Sequence, residues 1–217
     1  MGTKDRRLSW HPEALRAQQK RVLMDLGRFM SQRRFYMGGG TAIAIQLGHR
    51  RSLDFDWFTG EKIDDPMQLA ASFRDEGIQF VTGQIKRGTL HGTISGIRVS
   101  FLEYRYSLLE PKIIWKDYGC PVASLDDLAC MKLSAIAQGS SKKDFLDVYA
   151  LAREHRSLQE MFLLYQKKYN VEDIAPVLYG LAYFDDADKE RTPTMLWRVD
   201  WKTVKRSLRS WLKEMAG

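Results

Sequence analysis

Apolar positions at the start of the chain recur at helical spacing. Leu15, Val22, Leu23, Leu26 and Met30 fall on one face. The pattern predicts a helix that opens at Trp10-His11-Pro12, with Pro12 in its first turn, and runs to about Gln32. Phe35-Tyr36-Met37 is then a short apolar run of strand type, ended by Gly38-Gly39-Gly40. Residues 41–47 predict a helix of small and branched apolar residues, stopped by Gly48. Its β-branched content makes it depend on burial. Residues 53–58 alternate as a strand, with Asp54 and Asp56 on one face and Phe55 and Trp57 on the other. Asp64-Asp65-Pro66 starts a helix that ends at Gly77. Residues 78–82 read as a strand. Residues 89–93 and 98–104 read as a hairpin turning near Ser95-Gly96.

From Leu108 the pattern changes. Residues 111–121 read as a linker with apolar anchors at Ile113, Ile114 and Trp115. Helix then follows helix. Ser124 with Asp127, Ser141 with Asp144 and Ser157 with Glu160 each place an acid three residues after a serine, which is a helix-start signal. Residues 171–183 predict a fourth helix, and 184–194 a charged loop. Asp200 caps a last helix with Trp201, Val204, Leu208, Trp211, Leu212 and Met215 on one stripe. The predicted fold is α+β. A small mixed β-sheet flanked by helices takes residues 1–107, and a mainly helical region, 108–217, completes a cleft as a C-terminal bundle.

Composition sharpens this. With 44% hydrophobic and 28% charged residues, the 217-residue chain can build a sizeable core. The net charge of +7 favours an anionic partner (nucleotide, nucleic acid or acidic protein), against the plainer alternative of a solvated basic surface. Cys120 and Cys130 are too few for a disulfide framework and lack metal-ligand spacing, so they read as reduced thiols of a cytoplasmic protein. The start, MGTKDRRLSW, has no apolar signal core, and Gly2 is not followed by a serine or threonine at position six. No apolar stretch is long enough to span a bilayer, so no membrane partner is expected.

The chemistry concentrates in FYMGGGTAIAIQLGHRRSLDFDWF, residues 35–58. Glycines let a backbone approach a ligand closely, and successive free N–H groups at a helix start form an anion nest. Gly38-Gly39-Gly40 can equally be a tight turn needed for packing. Thr41 can cap the helix or touch a phosphate. Asp54 and Asp56, two apart on a strand, bring two carboxylates together, and a shared Mg²⁺ relieves their repulsion while bridging to phosphates. Alone, they can also be an exposed pair on a sheet edge. Their order makes the case: strand, glycines, helix, a basic step at Arg50-Arg51, then the acids. Arg50 or Arg51 can neutralise phosphate charge. His49 and Ser52 can orient that turn, with His49 reading first as structural.

This segment resembles the AbiEii/AbiGii toxin family of nucleotidyltransferase-like proteins, a branch of the nucleotidyltransferase superfamily. Lys132 in CMKLSAIAQ and the later KKDFLDVYAL segment resemble the family's other motifs. The resemblance spans about residues 20–155. It implies that Gly38, Gly39, Gly40 and Thr41 contact nucleotide phosphate; the residue pattern adds Arg50, Arg51 and Ser52 as nucleotide-binding candidates beside them. The resemblance also implies that Asp54 and Asp56 bind Mg²⁺, that Lys132 reaches the triphosphate, and that Lys143, Asp144 and Asp147 complete the site. Lys143 and Asp147, four apart, share a helix face and could instead be a surface ion pair. Lys132 sits in an otherwise apolar helix, where a buried lysine wants an anion, unless it snorkels to the surface.

The implied activity is Mg²⁺-dependent transfer of a nucleoside monophosphate from an NTP to an acceptor such as tRNA or another RNA. The protein would be a toxin, with a cognate antitoxin as partner. One departure stands out. The superfamily usually adds a third carboxylate from a neighbouring strand, but here IRVSFLEYRY offers Ser100 at that place. By alternation Glu103 points the other way. That leaves a second reading, a catalytically degenerate nucleotide- or RNA-binding protein of the same fold. The last helix, with Lys202, Lys205, Arg206, Arg209 and Lys213 around Trp201 and Trp211, is either an RNA surface or a core stripe with a basic outer face.

Overall fold

The computed structural model describes residues 9–139 and 141–216. The polar stretch 1–8, with Gly2, and Ser140 lie outside the described residues. The fold mixes a seven-stranded sheet with flanking helices and carries a run of helices toward the C-terminus. The chain forms two compact units. A sheet unit takes Leu15–Ala42 and Ser52–Ser124. A helical unit takes the chain up to Ala14, then Ile43–Arg51, then everything from Leu125.

The N-terminal helix comes out in two pieces. Pro12–Ala14 is a single 3₁₀ turn, and α1 proper runs Ala17–Gln32. Gln19 sets the later start, because its side-chain oxygen accepts from the Arg16 N–H at 3.0 Å and closes the first turn there. β1 (Tyr36–Gly38) follows, then α2 (Gly39–Leu47), β2 (Phe55–Thr59) and α3 (Pro66–Asp75). Asp65 caps α3 by accepting from the Met67 and Gln68 N–H groups, with Pro66 at its first position.

β3 (Phe80–Lys86), β4 (Thr89–Ile94) and β5 (Ile97–Glu103) form a meander. Ser95 (φ +48°) and Gly96 (φ +74°) both sit in the left-handed region, as a two-residue hairpin turn on a twisted ribbon requires. The segment read as a linker is part of the sheet. β6 (Ile113–Trp115) and β7 (Cys120–Val122) form a hairpin, and β7 runs parallel to β1 with Met37 opposite Val122. Three-residue strands are too short for alternation to show in the sequence. The strand order is β3-β4-β5-β2-β1-β7-β6.

One row across the sheet is wholly buried: Leu90 on β4, Phe101 on β5, Trp57 on β2 and Met37 on β1. Phe29 of α1 and Phe73 of α3 pack at this face, with Phe73 4.9 Å from the Phe101 ring and 5.0 Å from Phe29. Strand alternation turns the neighbouring row to the opposite face.

In the helical unit, α4 (Leu125–Ala137), α5 (Lys142–Glu154) and α6 (Leu158–Tyr169) begin where the serine–acid pairs predict. α7 is shorter than expected, Ala175–Ala182, because Asp173 accepts from the Ala175 N–H at 2.8 Å and Pro176 sits in the first turn. The charged loop contains a five-residue helix, α8 (Asp185–Lys189). α9 (Trp201–Ala216) buries Val204 and Leu208, stacks Trp211 on Tyr149 at 5.7 Å, and sets Trp201 against Phe145. Lys202, Arg206, Arg209 and Lys213 stay exposed. The tryptophans therefore face the core, and the basic residues form the outer face.

Both cysteines are free and buried. Burial pushes the Cys130 thiol up to about 12, so it is no nucleophile at neutral pH. Among the described residues no helix is long and apolar enough to cross a membrane.

Candidate active site

In the sheet unit the site begins at the join of β1 and α2. Gly38 is the last residue of β1, and Gly39 and Gly40 are the first of α2. Gly39 has φ +64°, and a Cβ there would lie 2.5 Å from Asp56 Oδ2. Only glycine admits both this backbone and this neighbour. The glycine turn and the second aspartate of the pair are thus built against each other, as the Gly38–Asp56 register across β1 and β2 also requires. Gly39→Ala should remain folded with a midpoint a few degrees lower, and should lose most metal-dependent NTP binding. Thermal melts and calorimetry check it.

Thr41 is buried and ties α2 to the turn before β2. Its Oγ1 lies 2.6 Å from Ser52 Oγ and also meets the Asp54 carbonyl. A carbonyl only accepts, so the one Thr41 proton goes there, and the Ser52 hydroxyl donates to Thr41. Asp54 lies just before β2, on the same face as Asp56. Arg98 of β5 donates to both Asp54 oxygens at 2.9 and 3.0 Å. Ser100 pairs in register with Asp56. The position beside the second aspartate therefore carries a hydroxyl. Glu103 lies farther along β5, where it accepts from the Ile63 N–H at 3.2 Å and from Arg105.

The helical unit gathers a second cluster, centred on Asp147, whose side chain is fully buried. His49 Nε2 donates to it at 2.7 Å, and Arg50 grips both oxygens at 2.7 and 2.9 Å. Lys132 Nζ lies 2.9 Å from Asp147 Oδ2 and 2.6 Å from Asp144 Oδ1. The other Asp144 oxygen accepts the Ser141 N–H at 2.9 Å and its hydroxyl at 2.7 Å, closing the first turn of α5. Two carboxylates thus face two cations. Burial disfavours the Asp147 charge, but Arg50 and Lys132 outweigh it and hold the carboxyl well below its ordinary 3.8. Burial likewise opposes the Lys132 charge, yet Asp147 and Asp144 raise it above 10.5. Arg50 is turned inward, whereas Arg51 and Lys143 are exposed. The Lys143–Asp147 face is split between solvent and core.

His49 is fully buried, and burial lowers its pKa below 6.5 against the pull of Asp147. A backbone clasp holds it in place: Leu196 and Trp197 donate N–H groups to its carbonyl at 3.0 and 3.1 Å, and the Trp197 ring lies 5.7 Å away. The pH consequence has a definite sign. Below 6.5 the unfolded His49 binds a proton that the folded one refuses, so stability falls as pH drops through that range. Below about 3.8 the unfolded Asp147 does the same, and a second loss follows. The melting temperature should therefore decline from about pH 6.5 downward. His49→Gln should flatten the first decline and keep the second, as melts from pH 8 down to about pH 3 will show.

A glycine turn leading into a helix start, set beside paired aspartates at the start of the next strand of a mixed sheet, is the arrangement of the nucleotidyltransferase fold. The AbiEii profile, described as nucleotidyl transferase AbiEii toxin of a type IV toxin–antitoxin system, matches residues 21–213. The chain belongs to this family. An uncharacterized protein of Aquifex aeolicus (strain VF5), aq_aa25, is 42% identical over 158 residues, covering 72% of this chain and 76% of its own length. Among solved structures, the chain is similar to MenT4, a nucleotidyltransferase toxin of Mycobacterium tuberculosis H37Rv (TM-score 0.59, 16% identity, 92% of this chain and 83% of that one). It is also similar to JHP933 of Helicobacter pylori (TM-score 0.60, 14% identity, 95% and 93%). At such identities the likeness shows the fold.

Proposed function

We propose that the protein transfers a nucleoside monophosphate from an NTP to an acceptor hydroxyl, with RNA, tRNA included, as the acceptor class, and that it acts as the toxin of a toxin–antitoxin pair. The observation that carries the reading is the Asp56 carboxylate lodged against left-handed Gly39 at the head of α2. A carboxylate beside the N-terminal end of α2 supports a joint metal and phosphate site, because a helix start favours anions. The donor set fits a Mg²⁺ ion. Asp54 and Asp56 are hard oxygen donors on one face, and a Cβ at Gly39 would crowd Asp56. Among the described residues no group of three or more His, Cys, Asp or Glu gathers around a point.

Asp54 and Asp56 would hold the ion, which when bound supplies charge neutralisation of the triphosphate and the leaving pyrophosphate. Arg98, which grips both Asp54 oxygens, offsets one of the two negative charges. Exposed Arg51 is the member of the basic step free to meet an anion, because Arg50 grips Asp147. Lys132 and Lys143 stay proposed as cations that the helical unit contributes to the chemistry. Asp144 and Asp147 hold Lys132 charged and in place. The exposed basic face of α9 suits a polyanionic acceptor.

Incubation with Mg²⁺, each NTP labelled at the α- or γ-phosphate, and total tRNA tests this. Label from the α position should enter RNA, and label from the γ position should not. γ-label in the acceptor would make the protein a kinase instead. Ser100 favours a second reading, a nucleotide binder without turnover. Tight NTP binding with no α-label transfer to any RNA or protein acceptor would establish it.

A further inference from the structure

We propose that His91 is the general base of the reaction, standing in for the carboxylate that Ser100 replaces. The inference rests on the transferase reading above. Three in-register pairings carry it: His91 with Ser100 across β4 and β5, Ser100 with Asp56 across β5 and β2, and Asp56 with Gly38 across β2 and β1. These four positions form one row. The adjacent row, Leu90, Phe101, Trp57 and Met37, is completely buried, so alternation turns His91, Ser100 and Asp56 to the opposite face. The next row on that face is Thr93 and Arg98, and Arg98 reaches across to Asp54 at 2.9 Å. Side chains of this face therefore meet across strands.

Strands lie about 4.8 Å apart, which puts the His91 and Asp56 backbones roughly 10 Å from each other with Ser100 between them. An acid at position 100 would stand directly beside Asp56. An imidazole extends farther from its backbone than an aspartate carboxylate, so a base one strand farther out can serve a hydroxyl lying over Ser100. Serine leaves that space open. Along β5 the other charged groups are committed: Arg98 to Asp54, and Glu103 to the Ile63 amide and Arg105.

In the step, the acceptor hydroxyl oxygen forms a bond to the α-phosphorus of the NTP. The bond from that phosphorus to the bridging oxygen breaks, and pyrophosphate leaves with the electron pair. The hydroxyl proton passes to an imidazole nitrogen of His91 and then to solvent.

His91→Gln should lower the rate of α-label transfer about 10²–10⁴-fold, the usual range for a lost general base, with NTP affinity by calorimetry unchanged. His91→Gly should regain activity when free imidazole is added. Ser100→Asp introduced into His91→Gln should restore transfer, because the acid returns to its place beside Asp56. A His91→Gln rate within about threefold of the parent overturns the proposal. So does a slow variant that neither imidazole nor Ser100→Asp rescues, since His91 would then matter only for packing. A parent that transfers no label removes the transferase reading itself, and this role with it.

Discussion

Asp56→Asn is expected to lower nucleotidyl transfer about 10³-fold while leaving the fold in place. Asparagine keeps the size of aspartate, and Asp56 is only half-buried, so neither the Gly39 contact nor the β1–β2 register is disturbed. What disappears is the negative charge beside the start of α2. Groups preorganised to stabilise transition-state charge are commonly worth 10²–10³-fold each, and a carboxylate that holds the ion also governs ground-state binding. Asp54→Asn should cost less, because Arg98 already offsets that charge. Single-turnover transfer at saturating Mg²⁺ checks both, with melting temperatures as the control. Asp56→Asn transfer within tenfold of the parent would remove Asp56 from the chemistry.

The largest effect on stability is expected from Asp147→Ala, a loss of about 3–5 kcal/mol. Removing one partner of a buried ion pair leaves its cations uncompensated. Here Arg50 would lose both of its carboxylate contacts, and Lys132 one of two. Against a typical total of roughly 5–15 kcal/mol, such a loss is enough to unfold the helical unit under mild conditions. The clasp of Leu196 and Trp197 on the His49 carbonyl should loosen as well. Urea denaturation followed by tryptophan fluorescence measures the shift. Restoring an apolar surround with Lys132→Met and Arg50→Met alongside Asp147→Leu should recover much of the stability but not the activity.

Much of the fold follows from local signals. The helix starts at Ser141, Ser157 and Asp65-Pro66 lie where their side chains cap, because capping acts within three residues of sequence. The Ser95-Gly96 turn follows the same rule. The β6–β7 hairpin does not, since its three-residue strands depend on β1, some 80 positions earlier in the chain, and carry no period of their own. The candidate site divides in the same way. Gly38–Gly40, Asp54 and Asp56 are legible as an ordered motif. The partner of Arg50 is not, because Asp147 lies 97 residues away and only folding selects it over a phosphate. Likewise Thr41 reads in sequence as a helix cap or a phosphate contact, and its bonds to Ser52 and the Asp54 carbonyl emerge only on folding. Arg98 and His91 need strand register before they can be seen at all. The alternation of Arg98 with Ser100 beside that of Asp54 with Asp56 was the available signal.

Calorimetric titration of NTP into the parent and into Asp56→Asn, each with Mg²⁺ and with EDTA, tests most directly whether the Gly39–Asp56 corner holds the metal and the triphosphate. The parent should bind NTP at least tenfold more tightly with Mg²⁺ than with EDTA, and Asp56→Asn should show no such difference. Equal metal dependence in both proteins would place the ion and the triphosphate elsewhere and contradict the proposed site.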